Sequence, residues 1–315
     1  MARKLIIDTD SGIDDAVALT MALFDPRLEV LAITATAGTV PAEQATDNIA
    51  AVVAALDPPR YPRIAKANSP SDDVVSDARF LNGPHGLGDF TAVASQRQHL
   101  PTSEKVIADL VRQNPDEITL LCLGPLTNLS KLCRFDPGAL QMVDKLVISG
   151  GTYQAPGNAS AVAEFNLSYD PLAADEVFRS KTTKSLVPLD ITSQITFGVE
   201  LLDQLPPRHN AVGNFLHSIL PFSFRAHHQR LGCELLALMD ATAVGSVLEP
   251  ELFQWHQMAA KVETEGTYTR GMSVFDQRLR PEWQNNLEVA LGGDIDEIKG
   301  LILRSLQFAG QQSNS

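Results

Sequence analysis

Leu5-Ile6-Ile7-Asp8-Thr9-Asp10-Ser11-Gly12-Ile13-Asp14-Asp15-Ala16-Val17-Ala18-Leu19 sets the architecture of this 315-residue chain. The run before Asp8 is short, apolar and rich in isoleucine, as a buried strand is. Gly12 reads as the turn, and Ile13, Ala16, Val17, Leu19 and Thr20 follow with the spacing of a helix packed on a sheet. A strand that feeds straight into such a helix opens an α/β sheet, whose ligands bind beyond the carboxyl ends of its strands. Asp8, Asp10, Asp14 and Asp15 are therefore expected at a ligand site. Like charges this close raise one another's pKa unless a cation neutralises them. A set made only of oxygen donors suits a hard ion, calcium or magnesium. Structural duties account for part of the cluster: Asp14 suits the positive end of a helix, and Asp8 or Ser11 could cap it. An EF-hand loop beginning at Asp8 is excluded, because Gly12 and Leu19 fall where ligands belong.

Outward from this stretch, residues 28–36, 63–67, 117–123, 145–149, 184–189 and 287–291 read as strands. Residues 41–56, 103–114, the segment opened by Asp170-Pro171, much of 198–240 and 294–308 read as helices, the 198–240 stretch running to its end at Leu238-Met239-Asp240-Ala241-Thr242. Residues 258–265 and 271–275 alternate like a β-hairpin. The alternation predicts one α/β domain over residues 1–315, with a mostly parallel central sheet, helices on both faces and a small β-hairpin addition. A polar loop from Asn68 to about Thr91 is long enough to expect a role in function.

Hydrophobic residues make up 44% of the chain, enough for a large core, and the formal net charge is −13. So acidic a surface argues against nucleic-acid or anionic-membrane partners, which bind basic patches. Cys122, Cys133 and Cys233 have neither metal nor redox spacing, as suits a reducing compartment. With no targeting segment and no long apolar span in the sequence, a soluble cytoplasmic protein is expected. The glycines at Gly124-Pro125 and Gly150-Gly151 lack the spacing of a phosphate or dinucleotide loop.

The opening Asp-x-Asp-x-Gly-x-Asp-Asp pattern is followed by Leu123-Gly124-Pro125-Leu126-Thr127-Asn128-Leu129, by Asn158 with Glu164-Phe165-Asn166 and Asp170-Pro171, by Asp240, and by the hairpin of residues 264–276. In this order the motifs resemble the nucleoside hydrolases, the inosine-uridine-preferring N-ribohydrolase family. The resemblance implies a calcium ion held by Asp10, Asp15, Asp240 and the backbone carbonyl of Leu123. It implies Asp14 as the base that deprotonates a metal-bound water, and Asn158, Glu164 and Asn166 as the residues that hold the ribose hydroxyls. The substrate would be a ribonucleoside, cleaved to ribose and free base, with no nucleic-acid or membrane partner and a possible homo-oligomer. Each residue has a plainer reading too: Asn158 and Asn166 as turn residues, Asp240 as a helix cap. Glu164 sits in an apolar neighbourhood, where an acid is uncommon unless paired or functional.

Three positions depart from the family pattern. Met239 stands where members carry a histidine before the last aspartate, Asn82 where many have a loop histidine, and Thr39 where an asparagine commonly follows Ala-Gly. Those histidines assist the departing base, and a thioether cannot. A nitrophenyl riboside, whose leaving group needs no proton, is then expected to be cleaved at least ~10²-fold faster than inosine or uridine, unless His85, His227 or His228 substitutes. Two other readings stand beside this one. A magnesium-dependent phosphohydrolase would use Asp8 as nucleophile and Asp10 as acid, with Gly293-Asp294-Ile295-Asp296 as a faint later motif, although no lysine-bearing turn is in sight. A non-catalytic ribonucleoside binder would keep the sugar and metal site without the acid.

Overall fold

The computed structural model describes residues 2–68, 78–91 and 99–313. Residues 69–77 of the polar loop expected after Asn68 therefore lie outside the described residues.

The first strand, β1 (Arg3–Thr9), buries Leu5, Ile6 and Ile7 completely. Leu5 and Ile7 enter one hydrophobic core, Ile6 the other. A strand covered on both faces has no solvent side to fill with polar residues, hence its unbroken apolar run. The remaining strands are β2 (Leu28–Ala35), β3 (Arg63–Ala65), β4 (Ile118–Cys122), β5 (Lys145–Ser149), β6 (Lys184–Val187), β7 (Thr196–Phe197), β8 (Leu236–Ala237), β9 (Phe253–Met258), β10 (Ala260–Val262), β11 (Ser273–Phe275) and β12 (Leu287–Gly293). Eight form one sheet in the order β3-β2-β1-β4-β5-β6-β12-β9, parallel except for β9. The chain lays β2 and β3 on one side of β1, then crosses to place β4 on the other. At that reversal the strand ends diverge and leave a crevice, the place where open α/β sheets bind ligands. The mostly parallel sheet with helices against both faces is as expected, and β10 with β11 forms the antiparallel hairpin.

Three local details differ from or refine the expectations. First, Gly12 stands in the turn, as expected, but the left-handed residue there is Ser11, at φ 64°. Three hydrogen bonds hold it there: Ser11 N–H to Thr9 Oγ1, Ser11 Oγ to the Ala45 carbonyl, and Asn48 Nδ2 to the Ser11 carbonyl. Gly12 instead caps the helix Ile13–Phe24, where a Cβ would come within 3.1 Å of Asn82 Oδ1 and Asp15 Oδ2. Second, residues 198–240 are helical for much of their length, the expected Phe215–Arg230 included, but they do not run as a helix to Asp240. The helix Ala211–Leu231 ends at Gly232, left-handed at φ 66°, and β8 intervenes before Met239 opens, rather than ends, the helix Met239–Leu248. Gly232 marks this stop, since only glycine enters that conformation freely. Third, Met258 belongs to β9, an edge strand the sequence pattern did not reveal. Among the described residues no helix is long and apolar enough to cross a membrane.

Candidate active site

The end of β1 delivers its acids in two directions. Asp8 points away from the crevice. Its Oδ1 accepts from the Thr34 hydroxyl and from Asn128 Nδ2 at 2.8 Å, while its Oδ2 is buried without a hydrogen-bond partner among the described residues. Burial raises its pKa to about 7, against these two hydrogen bonds. A nucleophilic role for Asp8 fails on this placement, because the residue is absent from the cleft wall. Asp294, the other half of that reading, accepts from Glu297 N–H at 3.1 Å as the cap of the helix Ile295–Gln312.

Asp10, Asp14 and Asp15 line the crevice. Thr39 N–H donates to Asp10 Oδ2 at 2.6 Å. The Thr39 departure is therefore silent on this bond, since the main chain makes it whatever the side chain. The approach needs Gly38, where a Cβ would fall 2.1 Å from Asp10 Oδ2. Asp15 takes Gly12 N–H at 2.9 Å and the Thr9 hydroxyl, so its side chain reaches back to the N-cap of its own helix. The structural reading of the cluster is thus correct in part: Asp14 stands in the first helical turn as expected, while the contact with the N-cap is made by Asp15 rather than Asp8 or Ser11. Asp14 reaches across to another helix: Asp240 N–H donates to its Oδ2 at 2.9 Å, and the backbone N–H groups of Met239 and Ala241 also favour its charged form. Its Oδ1 is buried without a hydrogen-bond partner among the described residues. Asp240 itself takes the Ser149 hydroxyl at 2.9 Å from the end of β5.

These carboxylates sit in a common low-dielectric wall. Burial first, then repulsion from Asp15, holds Asp10 well above the usual carboxylate range. Burial first, then Asp15, Asp14 and Asp10, does the same to Asp240. Asp14 is pushed up to about 7, chiefly by burial, despite the helix N-terminus it faces. Among the described residues no three His, Cys, Asp or Glu side chains converge as a ready-made metal cage. The donor chemistry nevertheless fits a hard cation: buried oxygens only, each carboxylate with lone pairs to spare, and mutual repulsion that a positive charge would relieve.

The sugar-side candidates come from the loop after β5 and the short helix Phe165–Tyr169. Glu164 is that helix's N-cap, accepting from Asn166 N–H and Gly151 N–H, each at 2.9 Å, and from Leu167 N–H at 3.2 Å. Burial raises its pKa against these bonds. Asn166 Nδ2 donates to the carbonyls of Leu123 at 2.8 Å and Ser149 at 3.0 Å, tying the ends of β4 and β5 together. Exposed Asn158 accepts from Phe165 N–H at 2.8 Å. The structure therefore brings all eight residues singled out in the sequence, Asp10, Asp14, Asp15, Leu123, Asn158, Glu164, Asn166 and Asp240, to one cleft of about 600 Å³.

Sequence reasoning missed the other half of that cleft. Phe80, Leu81, Leu231, Leu235 and Leu236 give it an apolar wall, with Phe165 and Met239. Phe80, Leu231 and Leu235 are half exposed, a pattern with no periodic signature. Asn82 is present too, but its amide is used within the fold: Oδ1 accepts from Ile13 N–H at 2.9 Å and Nδ2 donates to the Ala78 carbonyl. His227 lines the cleft; His85 and His228 do not.

A model of the inosine-uridine preferring nucleoside hydrolases matches residues 5–300. The chain is 34% identical to the non-specific ribonucleoside hydrolase RihC of Salmonella enteritidis over 306 residues, covering 97% of this chain and 98% of the other. It superposes on a plant nucleoside hydrolase with a TM-score of 0.90 at 28% identity, over 98% of this chain and 99% of that one. The purine-preferring ribonucleoside hydrolase from Gardnerella vaginalis gives the same TM-score, identity and coverage.

Proposed function

The chain belongs to the inosine-uridine preferring nucleoside hydrolase family, and on that premise we propose that it hydrolyses the N-glycosidic bond of a ribonucleoside with Asp14 as general base. One observation carries the reading: Asp14 sits in the cleft wall with Asp10, Asp15 and Asp240, its Oδ2 fixed by the Asp240 N–H and its Oδ1 without a hydrogen-bond partner among the described residues.

Asp14 takes a proton from the attacking water as the bond between the anomeric carbon and the base nitrogen breaks. The sugar then carries positive charge, as in glycoside hydrolysis generally. Carboxylates already fixed by Thr39, Gly12 and Ser149 stabilise that charge without reorganising. Glu164, Asn166 and Asn158 would hold the ribose hydroxyls at the rim of the same cleft. Asp10, Asp15, Asp240 and the Leu123 carbonyl would hold a calcium ion. That ion would lower the pKa of bound water and gather sugar oxygens. The apolar wall of Phe80, Leu81 and Leu235 would take the flat base. Unpaired Cys122, Cys133 and Cys233 support a cytosolic setting.

The test is to incubate the protein with calcium and a panel of purine and pyrimidine ribonucleosides and to measure reducing sugar. Release of ribose is expected. Tight ribonucleoside binding without release would instead make the protein a binder.

A further inference from the structure

Hydrolysis leaves one proton without a donor. The departing base takes the electron pair of the broken bond and needs a proton to leave as a neutral molecule. Met239 lines the cleft but has no proton to give, and the Asn82 amide is already bound at both ends. Of the three histidines that could substitute, His228 is turned to Glu234 at 2.9 Å and is 62% exposed. His85 is off the cleft wall, and its carbonyl accepts from Asn48 Nδ2 at 2.8 Å. Cys233 and Glu234 lie at the mouth, both exposed.

His227 differs. It stands in the last turns of the helix Ala211–Leu231, half-buried, among Leu231, Leu235 and Leu236 of the apolar wall. Its Nδ1 lies 2.9 Å from the Ser223 carbonyl one turn earlier. A carbonyl only accepts, so Nδ1 carries hydrogen and the ring is held in one orientation. Nε2 is then the nitrogen left for the cleft.

We propose that His227 is the catalytic residue that protonates the departing base, from Nε2. The proposal rests on reading the chain as a nucleosidase. In the step, the bond from C1′ to the base nitrogen breaks and its electrons go to the base. The Nε2 proton passes to a ring nitrogen or carbonyl oxygen of that base. The hydroxyl of water joins C1′, and the water's other proton goes to Asp14. One water is consumed, and His227 and Asp14 return to their starting states by exchange with solvent. Burial lowers the pKa of the ring, which makes its protonated form a stronger acid than free imidazolium, though a scarcer one at neutral pH.

The experiment compares kcat/KM for inosine and for 4-nitrophenyl riboside in the wild type, His227→Gln and His227→Ala. The loss on inosine is expected to exceed the loss on the aryl riboside by about 10²-fold in both variants, the lower range for a positioned acid. Glutamine keeps a hydrogen-bond donor but has no transferable proton, so it is expected not to rescue. Equal losses on the two substrates, no loss, or an inosine rate restored by glutamine would each overturn the assignment. A second measurement needs no variant: across substituted phenyl ribosides, the wild-type kcat/KM depends weakly on leaving-group pKa if a proton is delivered, and a steep dependence overturns the proposal. A wild type that cleaves neither substrate overturns the nucleosidase reading, and the His227 assignment with it.

Discussion

The backbone N–H of Asp240 donates to Oδ2 of Asp14 at 2.9 Å, across 226 positions of sequence. The carboxylate proposed as base is therefore aimed by the N-terminus of the helix Met239–Leu248, although it sits in the first turn of Ile13–Phe24. A helix N-terminus favours the ionised carboxylate, yet burial wins and the pKa rises to about 7. Asp240 contributes twice, with its N–H to Asp14 and its carboxylate to the acidic wall.

Asp14→Asn separates holding from proton transfer. The amide oxygen can still accept from Asp240 N–H, so the melting temperature and KM should stay near those of the wild type. Turnover should fall at least ~10²-fold, the lower end of general-base contributions. Steady-state kinetics with a thermal melt checks both, and near-normal turnover would remove Asp14 from the mechanism.

Chelation tests the ion. Dialysis against a calcium chelator should lower both melting temperature and activity, and added calcium should restore both. An ion at 100 times its Kd stabilises the fold by about 2.7 kcal/mol. A protein indifferent to the chelator in both readouts would carry no such site.

Gly38→Ala probes the support of Asp10. The new Cβ would meet Asp10 Oδ2 at 2.1 Å and Asp10 Cβ at 2.7 Å, so the Asp10 side chain or the backbone must shift. Overpacking of this kind destabilises by about 1–3 kcal/mol. Denaturant melts should show that loss, and activity should fall further than stability because Asp10 must move. An alanine variant as stable and active as the wild type would contradict the packing described.

Acid stability depends in part on Asp276. Its carboxylate accepts from Arg278 Nε and Nη2, each at 2.8 Å, and from the N–H groups of Glu282 and Trp283. The Arg278 hydrogen bonds, more than any other contact, hold its pKa below the usual carboxylate range. A lowered folded-state pKa adds stability above the unfolded value of about 3.9, lost as pH falls through the folded value. The melting temperature of the wild type should therefore fall more steeply below about pH 4 than that of Asp276→Asn. Parallel pH profiles would exclude the contribution.

Much of the site was legible because its acids stand where no fold needs them all. Leu5-Ile6-Ile7 announces a strand buried on both faces, and four aspartates after it exceed what capping can use. The residues proposed for the sugar were legible only as part of a motif order, since Asn158 and Asn166 alone resemble turn residues. Three things escaped for physical reasons. Ser11 is held left-handed by Ala45 and Asn48, partners more than thirty positions away that no local pattern reveals. The edge strand β9 has exposed Gln254, His256 and Gln257, because only one neighbour covers it. The apolar wall of the cleft gathers Phe80, Leu231 and Leu235 from separate segments, so no window of sequence contains it.

The sheet order also sets a timetable for the nascent chain. As the ribosome lengthens it, β1 to β6 can join the sheet nearly as they emerge, each beside a strand already made. The acidic wall cannot close on that schedule, because Asp14 lacks its Asp240 N–H until the helix Met239–Leu248 has been synthesised. β9 waits longer still, since its sole partner in the sheet is β12, the last strand to be made. A chain stalled before Met239 would hold most of the sheet and all four opening aspartates, but its Asp14 would still lack the N–H that aims it.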